Sequence, residues 1–371
     1  MAAFSLDSIK SMLSNLSKDR SPSVLGIDIG SSSIKVVQLR REKGKAILET
    51  YGAIALGPYG ELEIGRATNL PVDRIVEALK DVLREANVTA KEAALSIPYS
   101  ASLVSVIKVP RVADKQLAQM IPIEARKYIP VPIGEVMLDW FVIPEESRSS
   151  NDIKNESTHI SVLLVAIHNE TIAKYQAIVA GATLQAKFFE IEVFSSVRAS
   201  LDHGIAPIAV VDMGASTTKL YIVERGIIRE SHIINRGGQD ITLAISQSLG
   251  LTVGKAEEQK RVEGLSGKED APLNKAIAIT LESVLSEVNR VILSYEQRMQ
   301  SSISSAVFTG GGATLKGIQE YAKQRLSTPT SLAHPFDKVE APAFLIDILT
   351  EAGPEFSVAV GLALRRLQEL G

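Results

Sequence analysis

Val24-Leu-Gly-Ile-Asp-Ile-Gly-Ser-Ser-Ser-Ile-Lys-Val36 decides the fold, because Ala209-Val-Val-Asp-Met-Gly-Ala-Ser-Thr-Thr-Lys219 repeats its design. In each copy an apolar run delivers an Asp (Asp28, Asp212) and a Gly follows two residues on (Gly30, Gly214). Short hydroxyl residues come next, and a Lys stands seven residues after the Asp (Lys35, Lys219). The pattern predicts strand, tight loop, strand. Glycine allows close backbone approach, Ser and Thr supply short donors, and successive N–H groups in such a loop form an anion-binding nest suited to phosphate. An Asp at the strand end suits a magnesium ion held through water, since that ion gives up its hydration reluctantly and is usually shared with substrate phosphates. One such loop is weak evidence, because most are hairpin turns that bind nothing. Two copies predict related half-domains that close on a nucleotide's phosphate tail from opposite sides.

A chain of 371 residues exceeds one typical domain of ~100–200 residues, which fits two lobes. Apolar content of 45% and a net charge of −3 describe an ordinary globular protein with no general pull toward nucleic acid. The absence of cysteine excludes disulfides, thiolate zinc sites and cysteine catalysis, and agrees with a reducing cytosol. The five His residues show no metal-ligand spacing. No apolar run approaches the ~18 residues needed to cross a bilayer, so a soluble protein without a transmembrane anchor is expected. Phe4, Leu6, Ile9, Met12, Leu13 and Leu16 recur at helical spacing and predict a short amphipathic helix followed by a linker. With few basic residues beside it, that helix suits packing on its own domain or on a partner better than lipid.

After the first loop, strands at Ile34 to Leu39 and Ala46 to Ile54, joined by Arg41-Glu-Lys-Gly44, predict a three-stranded meander. A helix opened by Pro71 and a buried strand at Ala93 to Ile97 complete a β-β-β-α-β unit. From Tyr99 to Glu190 the pattern departs from that unit, with strands at Leu103 to Val109, Met137 to Ile143 and Ile160 to Ile167 and the Pro-punctuated Tyr128-Ile-Pro-Val-Pro-Ile133. This segment is expected to be an inserted subdomain, its polar stretch Glu145 to Ser157 forming a hairpin tip. In the second half, Gly237 and Gly238 beside a helix N-terminus suit either phosphate or a plain capping turn. Ala306-Val-Phe-Thr-Gly-Gly-Gly-Ala313 predicts a strand running into three glycines, where backbone can approach the base and sugar of a nucleotide; a simple strand-to-helix turn is the alternative.

The order of phosphate loop, insertion, second phosphate loop, Ala-Glu-x-x-Lys helix and Gly-Gly-Gly turn resembles the actin, sugar-kinase and heat-shock-chaperone ATPase superfamily, which includes the division protein FtsA. More closely, Gly26-Ile-Asp-Ile-Gly-Ser-Ser-Ser-Ile-Lys35, Glu124-Ala-Arg-Lys-Tyr-Ile-Pro-Val-Pro132, Leu163-Leu-Val-Ala166 and Ala359-Val-Gly-Leu-Ala-Leu-Arg365 resemble the PilM family of type IV pilus assembly proteins. The resemblance covers nearly everything after Ser23. It implies an α/β chain with a two-lobed actin-like ATPase fold, made of duplicated ribonuclease-H-like lobes with a small α+β subdomain inserted in the first. It further implies ATP or ADP with magnesium in the cleft, met by Asp28, Gly30, Ser31, Ser32, Ser33 and Lys35 from one lobe. Asp212, Gly214, Ala215, Ser216, Thr217 and Thr218 would meet it from the other, with Asp28 and Asp212 on the metal.

Glu257 and Lys260 match the superfamily's helix near the ribose, and Gly310, Gly311 and Gly312 its adenosine-side turn. Glu192, in Ile191-Glu-Val-Phe-Ser-Ser-Val-Arg198, matches a carboxylate that orients the attacking water, although Val193 stands where the chaperones have Pro. The organisation expected is an N-terminal helix and linker (1–22), a first-lobe core (23–98), an inserted subdomain (99–190) and a second lobe (191–371). That second lobe would carry a nucleotide-side subdomain at about 240–305 and a C-terminal helix that returns to the first lobe. The function implied is a cytoplasmic ATP-binding scaffold with at most slow ATPase activity. It would recruit the short cytoplasmic segment of a PilN-type inner-membrane protein and meet other inner-membrane components of the pilus, without nucleic acid. An FtsA-like polymerising protein and a small-molecule kinase of the sugar-kinase branch are the alternatives.

Overall fold

The computed structural model describes residues 22–144, 158–202, 204–268 and 270–370. The N-terminal helix expected before Pro22 and the polar hairpin tip expected at 145–157 lie outside the described residues.

Two five-stranded sheets repeat one topology. In the first, β1 (Val24–Ile29), β2 (Ser33–Glu42) and β3 (Lys45–Ala55) form the antiparallel meander, and β4 (Glu92–Ile97) pairs parallel with β1. The β2–β3 turn places Lys43 and Gly44 at φ 50° and 81°, the left-handed pair that matches the twist of a tight hairpin. The inserted sheet comprises β5 (Ser102–Pro110), β6 (Val136–Val142) and β7 (His159–His168), in the antiparallel order β5-β7-β6. The strand β8 (Gln185–Ile191) returns to the first sheet and completes the order β3-β2-β1-β4-β8. The second sheet runs β11-β10-β9-β12-β13, from β9 (Ile208–Met213), β10 (Thr218–Glu224), β11 (Ile227–Ile234), β12 (Ser305–Thr309) and β13 (Thr330–Leu332). Its β10–β11 turn repeats the left-handed pair, with Arg225 and Gly226 at φ 53° and 75°.

Helices cover these sheets by burying one face each. In α1 (Val72–Glu85), opened by Pro71, the buried residues Ile75, Ala78, Leu79 and Val82 recur at helical spacing and join the first core. The helix α2 (Asp114–Ala125) buries Leu117, Ile121 and Ala125 against Ile107, Val162 and Leu164 of the inserted sheet, giving that sheet its own core. The helix α3 (Asn169–Gly181) packs on α1, where a Cβ at Gly181 would come within 2.8 Å of Val76. Through α3 and β8 the last part of the 99–190 segment therefore belongs structurally to the first sheet. Parallel pairing of β4 with β8 requires a crossover, and the long excursion through the inserted sheet and α3 is that crossover.

A connecting helix, α4 (Glu192–Ser200), leads into the second lobe, where α5 (Gly238–Leu249), α6 (Val253–Val262) and the long α7 (Pro272–Met299) surround the second core. Ile277, Leu281, Val284, Val288 and Ile292 form the buried stripe of α7. After α8 (Ile318–Lys323) and α9 (Ile346–Ala352), the final helix α10 (Ser357–Glu369) returns to pack on β1 and α4 of the first lobe. Two glycines permit that approach: a Cβ at Gly26 would lie 2.0 Å from Ala359 O, and one at Gly361 would lie 1.9 Å from Ser195 O.

Candidate functional site

The two Asp-x-Gly loops close on themselves in the same way. Gly30 N donates to Ser33 O and Gly214 N to Thr217 O, each at 3.0 Å, so each loop is cinched into a tight bend at the end of its first strand. A side chain at either Gly would press on the carbonyl that closes the bend. The loops face each other, and their tips meet where Ser31 Oγ lies 3.3 Å from Ser216 Oγ, 185 residues apart in sequence. Between the lobes lies a cavity of about 810 Å³. It is lined by Asp28, Gly30, Ser31, Ser32, Ser33, Lys35, Glu192, Asp212, Gly214, Ala215, Ser216 and Thr217, and also by Gly238, Glu257, Lys260, Gly310, Gly311 and Gly312.

Two of the residues singled out from sequence are placed elsewhere. Thr218 is fully buried within β10, where its hydroxyl donates to Arg236 O at 2.9 Å. It is one residue past the bend, and alternation along the strand turns it from the cavity. Gly237 lies behind the second loop, 2.4 Å from Ala215 O if it carried a Cβ. Gly238 N and Gln239 N donate to Gly214 O and Ala215 O at 2.9 Å, so the start of α5 braces the loop through its backbone.

At the cleft floor, Asp28 accepts from Ser96 Oγ at 2.8 Å, and Lys35 donates to Ser33 Oγ at 3.0 Å. Glu192, at the first turn of α4, accepts from Tyr99 N at 2.6 Å and lies 2.8 Å from Lys219 Nζ, which is also 3.5 Å from Asp212. Burial pushes the Glu192 carboxyl above its usual value, with Lys219 pulling the other way. Burial alone would lower the Lys219 ammonium, but Glu192 and Asp212 together hold it above its usual value. Lys219 is a site residue whose spacing is visible in sequence but whose destination across the cleft is not.

The α6 wall carries Glu257, bonded to Lys260 Nζ and Arg261 Nε at 2.6 Å and to Thr242 Oγ1 at 2.6 Å. Burial opposes its charge, but Lys260 and these hydrogen bonds hold its carboxyl down at about 2. Lys260 also donates to Gly238 O at 3.0 Å, tying α6 to α5. On the far side, Gly310 takes φ +81°, and a Cβ there would lie 2.4 Å from Asp212 Oδ1. The glycine run forms a short 3-10 turn, Gly311–Thr314, before α8 begins at Ile318. Leu315, Ile348, Ala352 and Pro354 add an apolar wall beside it, and the last three come from a C-terminal segment that carries no loop motif in sequence.

The first lobe also sends a strap across the cleft mouth. Glu63 accepts from Gly254 N, Ala67 N donates to Gln239 Oε1 at 3.0 Å, and Thr68 donates to Ser31 O from both its N (2.7 Å) and its Oγ1 (3.0 Å). Gly65, at φ +97°, passes so close to Glu257 that a Cβ would lie 2.7 Å from its carboxylate.

Duplicated sheets of one topology, each ending in an Asp-x-Gly loop, with a connecting helix between them and a shared cleft above, define the actin-like ATPase fold. A solved structure of ethanolamine utilization protein EutJ from Carboxydothermus hydrogenoformans has the same fold at a TM-score of 0.56, with 16% identity over 92% of this chain and 89% of that one. The chain belongs to the PilM family of type IV pilus assembly proteins, whose family model matches residues 26–367. It is similar to a chain of a solved PilM-PilN type IV pilus biogenesis complex, at 26% identity and a TM-score of 0.76, covering 93% of this chain and 98% of that one. Cell division protein FtsA of Neisseria meningitidis is 23% identical over 86% of both chains. FtsA of Agrobacterium fabrum is 25% identical over 42% of this chain, and the match spans only 39% of that protein's length.

Proposed function

We propose that the chain binds ATP or ADP with magnesium between its lobes and acts as a cytoplasmic scaffold of type IV pilus assembly, held at the inner membrane by a PilN-type protein. The observation that carries the nucleotide reading is the meeting of the two cinched loops across a cavity of about 810 Å³, within the range of a small-molecule site. Backbone N–H groups, Ser and Thr hydroxyls and Lys35 supply donors for phosphate, and Leu315 and Ile348 beside the Gly310 turn offer apolar lining for a base. Asp28 and Asp212 are the residues that would hold magnesium. No group of three or more His, Asp or Glu suited to a metal occurs among the described residues, so the ion would complete its shell with water and phosphate oxygens, as magnesium ordinarily does. When bound, it would neutralise phosphate charge.

The partner reading rests on family membership and on the name of the similar complex, PilM-PilN. The inserted sheet supports it, because β5 pairs only with β7 among the described strands and leaves its other edge open to an added peptide. No helix among the described residues is long and apolar enough to cross a membrane. Calorimetric titration with ATP, in magnesium and again in EDTA, tests the core of the proposal. Saturable binding that weakens without magnesium is expected, and no binding in either buffer overturns it.

A further inference from the structure

The two loops are built alike, yet their lysines do different things. Lys35 and Lys219 occupy the same position in their repeats, each paired across the meander with the Asp of its own loop. Lys35 turns back onto its loop at Ser33. Lys219 crosses instead to α4, where it lies 2.8 Å from Glu192 Oε2 while the other carboxylate oxygen accepts from Tyr99 N at 2.6 Å. Both oxygens of Glu192 are therefore engaged. Ser196, four residues on and so on the same face of α4, lines the cavity with a fully buried hydroxyl that has no hydrogen-bond partner among the described residues.

We propose that Lys219 is a positioning residue that ties down the Glu192 carboxylate, so that the cleft retains ATP rather than hydrolysing it. This rests on the nucleotide reading above. In the hydrolysis held back, the water oxygen bonds to the γ-phosphorus and the bond to the β,γ-bridging oxygen breaks, its electron pair leaving with ADP. The water's proton passes to Glu192 and then to the released phosphate. Each carboxylate oxygen keeps a second lone pair, but it takes that proton efficiently only when a lone pair is aimed at the water, and a base positioned in this way contributes roughly 10²–10⁴-fold to a rate. An ammonium and a peptide N–H hold both oxygens, in a buried setting where charge-assisted bonds are short and strong. Released from Lys219, the carboxylate shares its helix face with the Ser196 hydroxyl, a second anchor for the same water. The repeat makes the contrast internal: Lys35 serves its own loop, while Lys219 is diverted to the one carboxylate on the connecting helix.

The test is ATP turnover by the full chain at saturating ATP and magnesium, where changes in affinity drop out. K219M is expected to raise kcat at least about tenfold, toward the contribution of an oriented base. The gain should vanish in K219M/E192Q. A folded, ATP-binding K219M with unchanged or lower kcat overturns the proposal, as does a gain that persists in the double variant. Should K219M fail to fold, the wild-type crystal structure with a non-hydrolysable ATP analogue decides: Glu192 still paired with Lys219 supports the proposal, and Glu192 turned onto a water in line with the γ-phosphate overturns it. Failure of the wild-type chain to bind ATP in calorimetry overturns the nucleotide reading itself, a result separable from unchanged turnover.

Discussion

Two charged residues on opposite lobes test the cleft most directly. Lys35 and Asp212 sit at equivalent depths beside the two loops, and each is less than a tenth exposed. A hydrogen bond to a charged group contributes about 1.5–3 kcal/mol. Lys35→Ala and Asp212→Ala should therefore each lower ATP affinity roughly ten- to a hundredfold in calorimetry while still folding, Asp212→Ala at a lower unfolding midpoint because it removes a partner of the buried Lys219. Equal affinity in both variants would remove the phosphate role of the loops. Glu257 gives a pH test. Its folded carboxyl titrates at about 2 against a usual 4.5, because Lys260, Thr242 and Arg261 outweigh its burial. A depressed carboxyl stabilises fully above its unfolded value and loses that contribution as pH falls toward the folded one. Melting temperatures between pH 4.5 and about 2 should fall more steeply for the wild type than for Glu257→Gln. The Asp, Gly and Ser positions that line the cleft from both loops are legible in sequence because loop chemistry is local. Thr218 points away from the cleft because one residue of strand alternation reverses a side chain, and the destination of Lys219 is hidden because its partner lies on another element.

At the scale of elements, hydrophobic period and turn residues foretold most of the secondary structure. The meander, its Lys43-Gly44 turn and the helix opened by Pro71 follow from sequence alone. The pairing of β8 did not, since a short buried strand carries no mark of which sheet receives it. The same sheet order exposes an element with unspent capacity. Leu103, Ile107 and Val109 of β5 face the α2 core, while its outer edge has no strand beside it among those described. Such an edge suits an extended peptide, which would gain main-chain hydrogen bonds without rearranging the sheet. A synthetic PilN-type N-terminal peptide should bind the full chain with modest affinity, because tethering to a membrane protein supplies effective concentration. Val106→Lys, on the face of β5 turned from the α2 core, should weaken that binding at least about tenfold by placing a charge that the docked peptide would desolvate. Fluorescence anisotropy decides. Binding indifferent to that lysine would move the site elsewhere, and absence of binding would count against the scaffold.

In the whole molecule, the two lobes are joined by α4 below the cleft, by α10 folding back onto β1, and by the strap above it. The first two are fixed by packing too close for any side chain at Gly26 or Gly361. The strap is held differently, by a handful of polar bonds from Glu63, Ala67 and Thr68, over residues that are mostly exposed or half-buried. Few buried apolar contacts and solvent-facing hydrogen bonds mark a segment of low local stability, able to open without unfolding either lobe. Its closed position depends on Gly65, which combines φ +97° with passage 2.7 Å from the Glu257 carboxylate at the Cβ position. Gly65→Ala faces both the left-handed backbone and that contact, so it should hold the strap open while leaving the cores intact. If the nucleotide proposed for the cleft enters and leaves past the strap, the variant should release a fluorescent ATP analogue faster in stopped-flow, by about tenfold, with entry less affected. The thermal midpoint without nucleotide should stay close to that of the wild type, whereas the stabilisation conferred by saturating ATP should shrink in step with affinity. Unchanged release from a folded Gly65→Ala protein would mean that the strap decorates the cleft without governing it.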